Sequence, residues 1–168
     1  MDVAVINYAL YEGKTEYIGI TQADLPSLEF LTQTLTGAGI AGELETVLIG
    51  QMKAMQLTLK HGVLSAQAIK ISTPKLHVWE LREVQETIGS DGAPKVTGVK
   101  HVFKAVPKSM DGGSLKPQST SDPQTVASVY YWAEYRDGKK VMELDPVHIK
   151  CEINGVDYLA PVRKAMGK

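Results

Sequence analysis

Apolar and polar residues alternate over most of this chain at the period of a strand. Residues 3–11, Val-Ala-Val-Ile-Asn-Tyr-Ala-Leu-Tyr, are rich in strand formers and end in Glu12-Gly13-Lys14, which predicts a first strand or extended arm closed by a turn. Strands are also predicted over 17–21 and 27–36. Between them Pro26 removes a ladder donor and restricts Leu25, so the ladder breaks there. From Gln51 to Lys60, Met52, Ala54, Gln56, Thr58 and Lys60 face one way while Lys53, Met55, Leu57 and Leu59 face the other, the pattern of a strand with one buried face.

Only residues 63–72 read as a helix: Leu64, Ala68 and Ile71 form a stripe at helical spacing, and Pro74 ends it. A helix this short is marginal alone and has to lie against a sheet. Residues 76–87 and 96–106 predict a long hairpin around Gly89-Ser90-Asp91-Gly92, and 125–136 with 139–153 predict a second around Asp137-Gly138. Between them, 107–124 is rich in Gly, Ser, Thr, Pro and Lys and reads as a long loop, either functional or a tolerated surface insertion. The fold class expected from this pattern is mainly β, antiparallel, with one short flanking helix.

Size adds that 168 residues suit one domain, 1–168, with a real core. Hydrophobic residues make up 43% and charged ones 22%, as in ordinary folded proteins. No uncharged run approaches the roughly 20 apolar residues of a spanning helix, and Met1-Asp2-Val3-Ala4-Val5 lacks a basic start and apolar core, so synthesis in a cytoplasm is expected. Cys151 is the only cysteine, leaving no intrachain disulfide and no zinc ligand set. The net charge of −1 argues against holding nucleic acid through phosphate neutralisation.

Candidate chemistry is sparse. Gly37-Ala38-Gly39-Ile40-Ala41-Gly42 matches the glycine pattern of a dinucleotide site. Gly50 interrupts any helix opening there, and no Asp or Glu lies between Glu45 and Glu80 to take a ribose. A flexible turn is the simpler reading. His61, His77, His101 and His148 lack the spacing of a metal site and are expected at surfaces or interfaces. On one predicted strand, His148 and Cys151 would face opposite ways. If the first hairpin pairs residues whose numbers sum to about 183, His77 falls near Val106 and His101 near Arg82. Glu80, Glu86 and Arg82 then share one face and Glu83 the other, as a solvated mixed-charge surface. Tyr130 and Trp132 occupy one face of the next strand, and Val129, Tyr131 and Tyr135 the other, each set suiting either core or subunit contact. No nucleophile elbow, phosphate loop or paired metal-binding histidines occur, so no catalytic residue, cofactor or metal is expected.

Three stretches together resemble the major tail tube family of contractile bacteriophages, the P2-type tube proteins. These are Ile6-Asn7-Tyr8-Ala9-Leu10-Tyr11-Glu12-Gly13 running into Thr15-Glu16-Tyr17-Ile18-Gly19, then Leu35-Thr36-Gly37-Ala38-Gly39-Ile40-Ala41-Gly42-Glu43-Leu44-Glu45, and finally Ile153-Asn154-Gly155-Val156-Asp157-Tyr158-Leu159-Ala160-Pro161-Val162-Arg163. Pro107-Lys108-Ser109 and Asp137-Gly138-Lys139 fall where similar family segments stand. The resemblance implies a β-sandwich or half-barrel of the tail-tube fold, a virion part assembled in the bacterial cytoplasm, and a homo-hexamer stacking into a tube. Its implied partners are a contractile sheath protein, a tape measure protein, and baseplate and tail terminator proteins, and the tube serves either DNA delivery, with DNA passing unread through the bore, or membrane puncture by a phage-tail-like particle. The alternatives are an Hcp-like secretion tube subunit and a small β-barrel ligand-binding protein.

Under the tube reading, Gly37, Gly39, Ile40, Gly42, Glu43 and Glu45 are expected contacts between subunits. So are Tyr158, Leu159, Pro161 and Arg163 in a terminal strand. Glu80, Glu83 and Glu86 are expected to line the lumen, where few unpaired cations should grip a passing phosphate chain.

Overall fold

A computed structural model describes residues 1–168. In chain order the elements are β1 (Asp2–Glu12), β2 (Glu16–Ile18), β3 (Gln22–Asp24), β4 (Phe30–Thr36), β5 (Glu43–Met52), β6 (Met55–Lys60), α1 (Ala66–Ile71), β7 (His77–Ile88), β8 (Pro94–Asp111), β9 (Gln124–Arg136), β10 (Lys139–Asp145), β11 (Lys150–Ile153), β12 (Val156–Asp157) and α2 (Ala160–Ala165). Ten strands form one sheet ordered β12-β11-β10-β9-β8-β7-β1-β2, with β6 branching from β9 and β3 from β6. β4 and β5 make a separate two-stranded ribbon. The chain is thus mainly antiparallel β, as its alternation predicts.

The branch closes most of a half-barrel. One edge of β9 pairs throughout with β8, while the other is shared between β10 at Trp132–Arg136 and β6 at Gln124–Val129. Sheet and branch therefore curl around one core holding Leu10, Leu57, Leu59, Trp79, Phe103 and Trp132. Met55, Leu57 and Leu59 point inward from β6, on the face the alternation assigns. α1 covers one opening of this core with Ala68 and Ile71. Its N-terminus is capped by the Ser65 hydroxyl, which accepts from the Ala68 N–H at 3.2 Å.

Several expectations are corrected. The hairpin of β7 and β8 pairs His77 with Ala105 and Leu81 with His101, because its loop is Gly89–Ala93 and Ile88 faces Pro94. A slip of one residue carries a side chain to the other face, so His101 enters the core instead of joining Arg82 outside. A bulge between Lys104 and Ala105 leaves Tyr130 without an opposite residue. Val129 and Trp132 therefore both point inward, while Tyr131 stays outside with Lys104.

The predicted strand 139–153 is two strands, split by a turn at 146–149 in which Ile149 adopts a φ of 55°. His148 sits in that turn and bonds Asp145 at 2.7 Å. It does not share a strand with Cys151. The predicted strands at 17–21 and 27–36 become β2, β3 and β4, while the helix contracts to 66–71. The loop is shorter too, since β8 continues to Asp111 past a bulge after Pro107. Residues 43–52 form a strand, and the C-terminal segment forms the helix α2 with proline in its first turn. Asp137 and Gly138, with φ of 48° and 78°, build the tight turn expected of Asp-Gly.

Candidate assembly surfaces

The ribbon of β4 and β5 carries the longest exposed stretch of the chain. Every residue from Leu31 to Glu45 is exposed. Register places Thr34 opposite Glu45, Thr36 opposite Glu43 and Leu35 opposite Leu44. Directly opposed residues share a face, so one face carries Thr32, Thr34, Thr36, Glu43 and Glu45 with Val47 toward the root, and the other carries Leu31, Leu35, Leu44 and Leu48 with Gln33 and Thr46 among them. The glycine pattern of 37–42 forms the tip, with Gly39 and Gly42 at φ of 93° and 108°. A strand follows it, where a pyrophosphate site requires a helix. Ile40 projects from the tip, 38% exposed.

At its root the ribbon is locked to the C-terminal segment. Gly50, at φ 64°, lies so close to Leu159 that a Cβ on the glycine would stand 2.6 Å from the leucine Cγ. Beside this contact a cleft of about 400 Å³ is lined by Phe30, Val47, Ile49, Gly50, Cys151, Ile153 and Tyr158. Burial, and secondarily the charge of Asp157, pushes the Cys151 thiol above its ordinary value, which leaves it unreactive.

Asp157 organises the segment. Its carboxylate accepts from Arg163 Nη2 at 2.6 Å, the Leu159 N–H at 3.1 Å and the Cys151 N–H at 3.4 Å. Burial alone would raise this carboxyl, but these donors outweigh it and hold it below the usual range. Arg163 also donates to the Ile149 carbonyl at 2.6 Å. Of the four expected C-terminal contacts, Leu159 is therefore inside its own chain's core and Arg163 is engaged in an internal clamp. Pro161 lies in the first turn of α2, and Tyr158 stands 49% exposed.

Glu80, Glu83 and Glu86 separate by face as alternation predicts, yet they are not a solvated patch: Glu80 and Glu83 are buried and Glu86 half-buried. Glu80 accepts from Arg82 Nε at 2.7 Å on the outer face. Glu83 points inward to His101 Nε2 at 3.3 Å. Trp132 Nε1–H can only donate, and it reaches His101 Nδ1 at 3.3 Å, so His101 carries its proton on Nε2 toward Glu83. The other histidines expected at surfaces include two more buried ones. His77 lies between Glu12 and the Thr73 carbonyl, and His61 Nδ1 donates to the Gly19 carbonyl at 2.8 Å. No three His, Cys, Asp or Glu side chains group closely enough to hold a metal ion.

Five cations on the large sheet are held by neighbouring side chains. Lys100 sits 4.8 Å from the Tyr135 ring centre and Lys104 5.0 Å from that of Tyr131, while Arg82 lies over Tyr11 at 4.2 Å. Lys140 and Lys150 both reach Glu143, at 2.6 and 3.3 Å. Burial, reinforced by the Glu143 charge, pushes the Tyr131 phenol up to about 12.

A family model for phage tail tube protein FII matches residues 3–167. The chain belongs to that family. Tail tube proteins are structural parts of a phage tail, not enzymes, and the exposed ribbon belongs to an assembling subunit. Comparison with curated proteins finds no match. Among solved structures, the tube protein's fold is similar to a chain from the sheath/tube terminator of PVC, an extracellular contractile injection system (12% identity, 79% of this chain and 96% of that one, TM-score 0.54). It is also similar to a chain from the PVC sheath-tube complex (13%, 79% and 90%, 0.54) and to one from the anti-feeding prophage tube-terminating cap (19%, 80% and 95%, 0.53). At these identities the likeness carries the fold. No helix is long and apolar enough to cross a membrane.

The family resemblance singled out the tip and early β5 as contacts but not the four ribbon leucines. In 43–49, Glu-Leu-Glu-Thr-Val-Leu-Ile, the first residues alternate and the last three do not. Neither part is read as a strand from the sequence.

Proposed function

We propose that this tail tube subunit, a single domain, forms six-membered rings that stack into a hollow tube inside a contractile sheath. The observation that carries this reading is the ribbon, whose residues from Leu31 to Glu45 are all exposed in the single chain. A two-stranded ribbon is marginal in water without further packing, and identical neighbours supply it repeatedly. Gly37, Gly39, Ile40, Gly42, Glu43 and Glu45, at or beside the tip, are then contacts between subunits, joined by Tyr158 from the C-terminal segment. Contacts around a ring close, whereas ring-to-ring contacts do not and so generate a filament.

The outer sheet face is the candidate bore. Arg82, Lys100, Lys104, Lys140 and Lys150 on it are already paired, and a paired cation displaces fewer counterions from a passing phosphate chain than a free one. Glu80 and Glu86 line this bore, whereas Glu83 supports it from beneath through His101. A sheath protein and terminator, cap and baseplate proteins are the assembly partners, in keeping with the particles from which the structural relatives come, and a tape measure protein occupies the bore during assembly. DNA then passes through the bore without sequence readout.

Negative-stain microscopy of the purified protein tests the reading. Rings or hollow rods are expected, and a sharp monomer at high concentration overturns it.

A further inference from the structure

The half-barrel is open along one seam. β1 pairs with β7 along one edge, but its other edge pairs only at Leu10–Glu12, with β2. Beyond that the strand from Asp2 to Asn7 has a free edge, and β3, the last strand of the branch, does not pair with it. A single side-chain bond spans the gap, from the Tyr8 hydroxyl to the Thr21 carbonyl at 2.5 Å. A cleft of about 290 Å³ runs along the seam, lined by Val5, Tyr8, Ala23, Leu25 and the core residue Leu81, with Gln22 and Glu83 at its polar end. Val5 is 53% and Leu25 40% exposed at its mouth.

The same chain carries the complementary shape. Leu31, Leu35, Leu44 and Leu48, on one face of the ribbon, remain 38–51% exposed. β4 and β5 pack extensively only on each other, and no ribbon residue lines the seam. An apolar knob and an apolar groove at separate places on one chain fit a head-to-tail contact between copies, in which each copy gives its ribbon and receives another's. At about 3.3 Å per residue, Leu31 to Thr36 extend roughly 20 Å, ample reach beyond a subunit's own surface.

We infer that the ribbon of one copy lies leucine face down over the β1–β3 seam of the next, with the face bearing Thr32, Thr34, Glu43, Glu45 and Val47 turned away from that seam and free for other subunit contacts. The occupant is a second copy of this chain, and the inference rests on the tube-subunit reading. It assigns one contact two defined sides. Burying the leucines against Val5, Leu25 and Leu81 removes apolar surface from both, and the free β1 edge meets a strand that blocks unwanted pairing.

Cross-linking tests the contact. Leu35→Cys and Val5→Cys, made in separate chains, are mixed, assembled and oxidised with copper phenanthroline in air, with Cys151 shielded by burial. Heterodimers joining the two variants are expected on a non-reducing gel. Rings that yield no such heterodimer, or in which only like chains cross-link, overturn the inference. So does a double variant that closes entirely within one chain. The pair Leu35→Glu and Leu44→Glu supplies the second arm. Because both leucines are exposed in the free subunit, the variant should keep the wild-type unfolding midpoint and form no rings. Rings that persist refute the contact while leaving the tube reading intact. A wild-type protein that forms no rings refutes the tube reading itself, and the inference falls with it.

Discussion

Replacing Gly50 and Leu159 by alanine, singly and together, measures how firmly the ribbon root is locked to the C-terminal segment. Leu159 is 2% exposed and sits in the core. Its truncation removes buried methyl groups and leaves a cavity, a change that costs about 3 kcal/mol. Gly50→Ala costs for two separate reasons. At a φ of 64° an L side chain meets the left-handed penalty of about 1–2 kcal/mol. The new Cβ also falls 2.6 and 2.7 Å from Leu159 Cγ and Cδ2, and such overpacking costs about 1–3 kcal/mol.

The two changes should not add. Truncating Leu159 to alanine removes every atom that the new Cβ strikes, so the double variant keeps the backbone penalty and loses the clash. It should be about 1–3 kcal/mol more stable than the sum of the singles predicts. Urea denaturation of dilute, unassembled subunits, followed by tryptophan fluorescence, reads all four stabilities. Additivity within about 0.5 kcal/mol would mean that the glycine and leucine do not meet, and the locked root would be wrong.

Asp157→Asn should lower stability at neutral pH by about 1–3 kcal/mol, since the carboxylate takes three donors. Because folding holds this carboxyl low, its contribution is present above the unfolded value of about 4 and fades as the pH falls through the lower folded value. The wild-type curve of stability against pH should therefore fall more steeply on the acid side than the variant's, and parallel curves would refute the role. Tyr131→Phe should remove one late-ionising group, near the value of about 12, from the ultraviolet titration. Loss instead of a group titrating near the ordinary value of about 10 would place Tyr131 in solvent. A chain ending at Met166 should unfold with the full-length midpoint, whereas one ending at Asp157 loses Leu159 and Arg163 and should melt several degrees lower. Equal midpoints for all three would show that the terminal segment adds nothing to the fold.

The strand period, Pro26 and the Asp137-Gly138 turn were legible because each acts over a few residues. Alternation likewise identified the inward face of β6 and set Glu83 apart from Glu80 and Glu86. The resemblance in residues 35–45 and 153–163 pointed to the tube family without reference to any contact. Tertiary structure decided the rest, through effects that add or remove a single residue from a ladder. The five-residue loop after Ile88 turned His101 inward, and the bulge at Tyr130 placed Val129 and Trp132 on one side. Leu159 could not be told from a contact residue until Gly50, 109 positions earlier in the sequence, was found against it. The ribbon's leucines drew no reading as contacts because sequence does not record what fails to cover them. Local chemistry determines which segments become strands. Register, closure and the open seam depend on distant pairings, and these arise only when the sheet curls around its core.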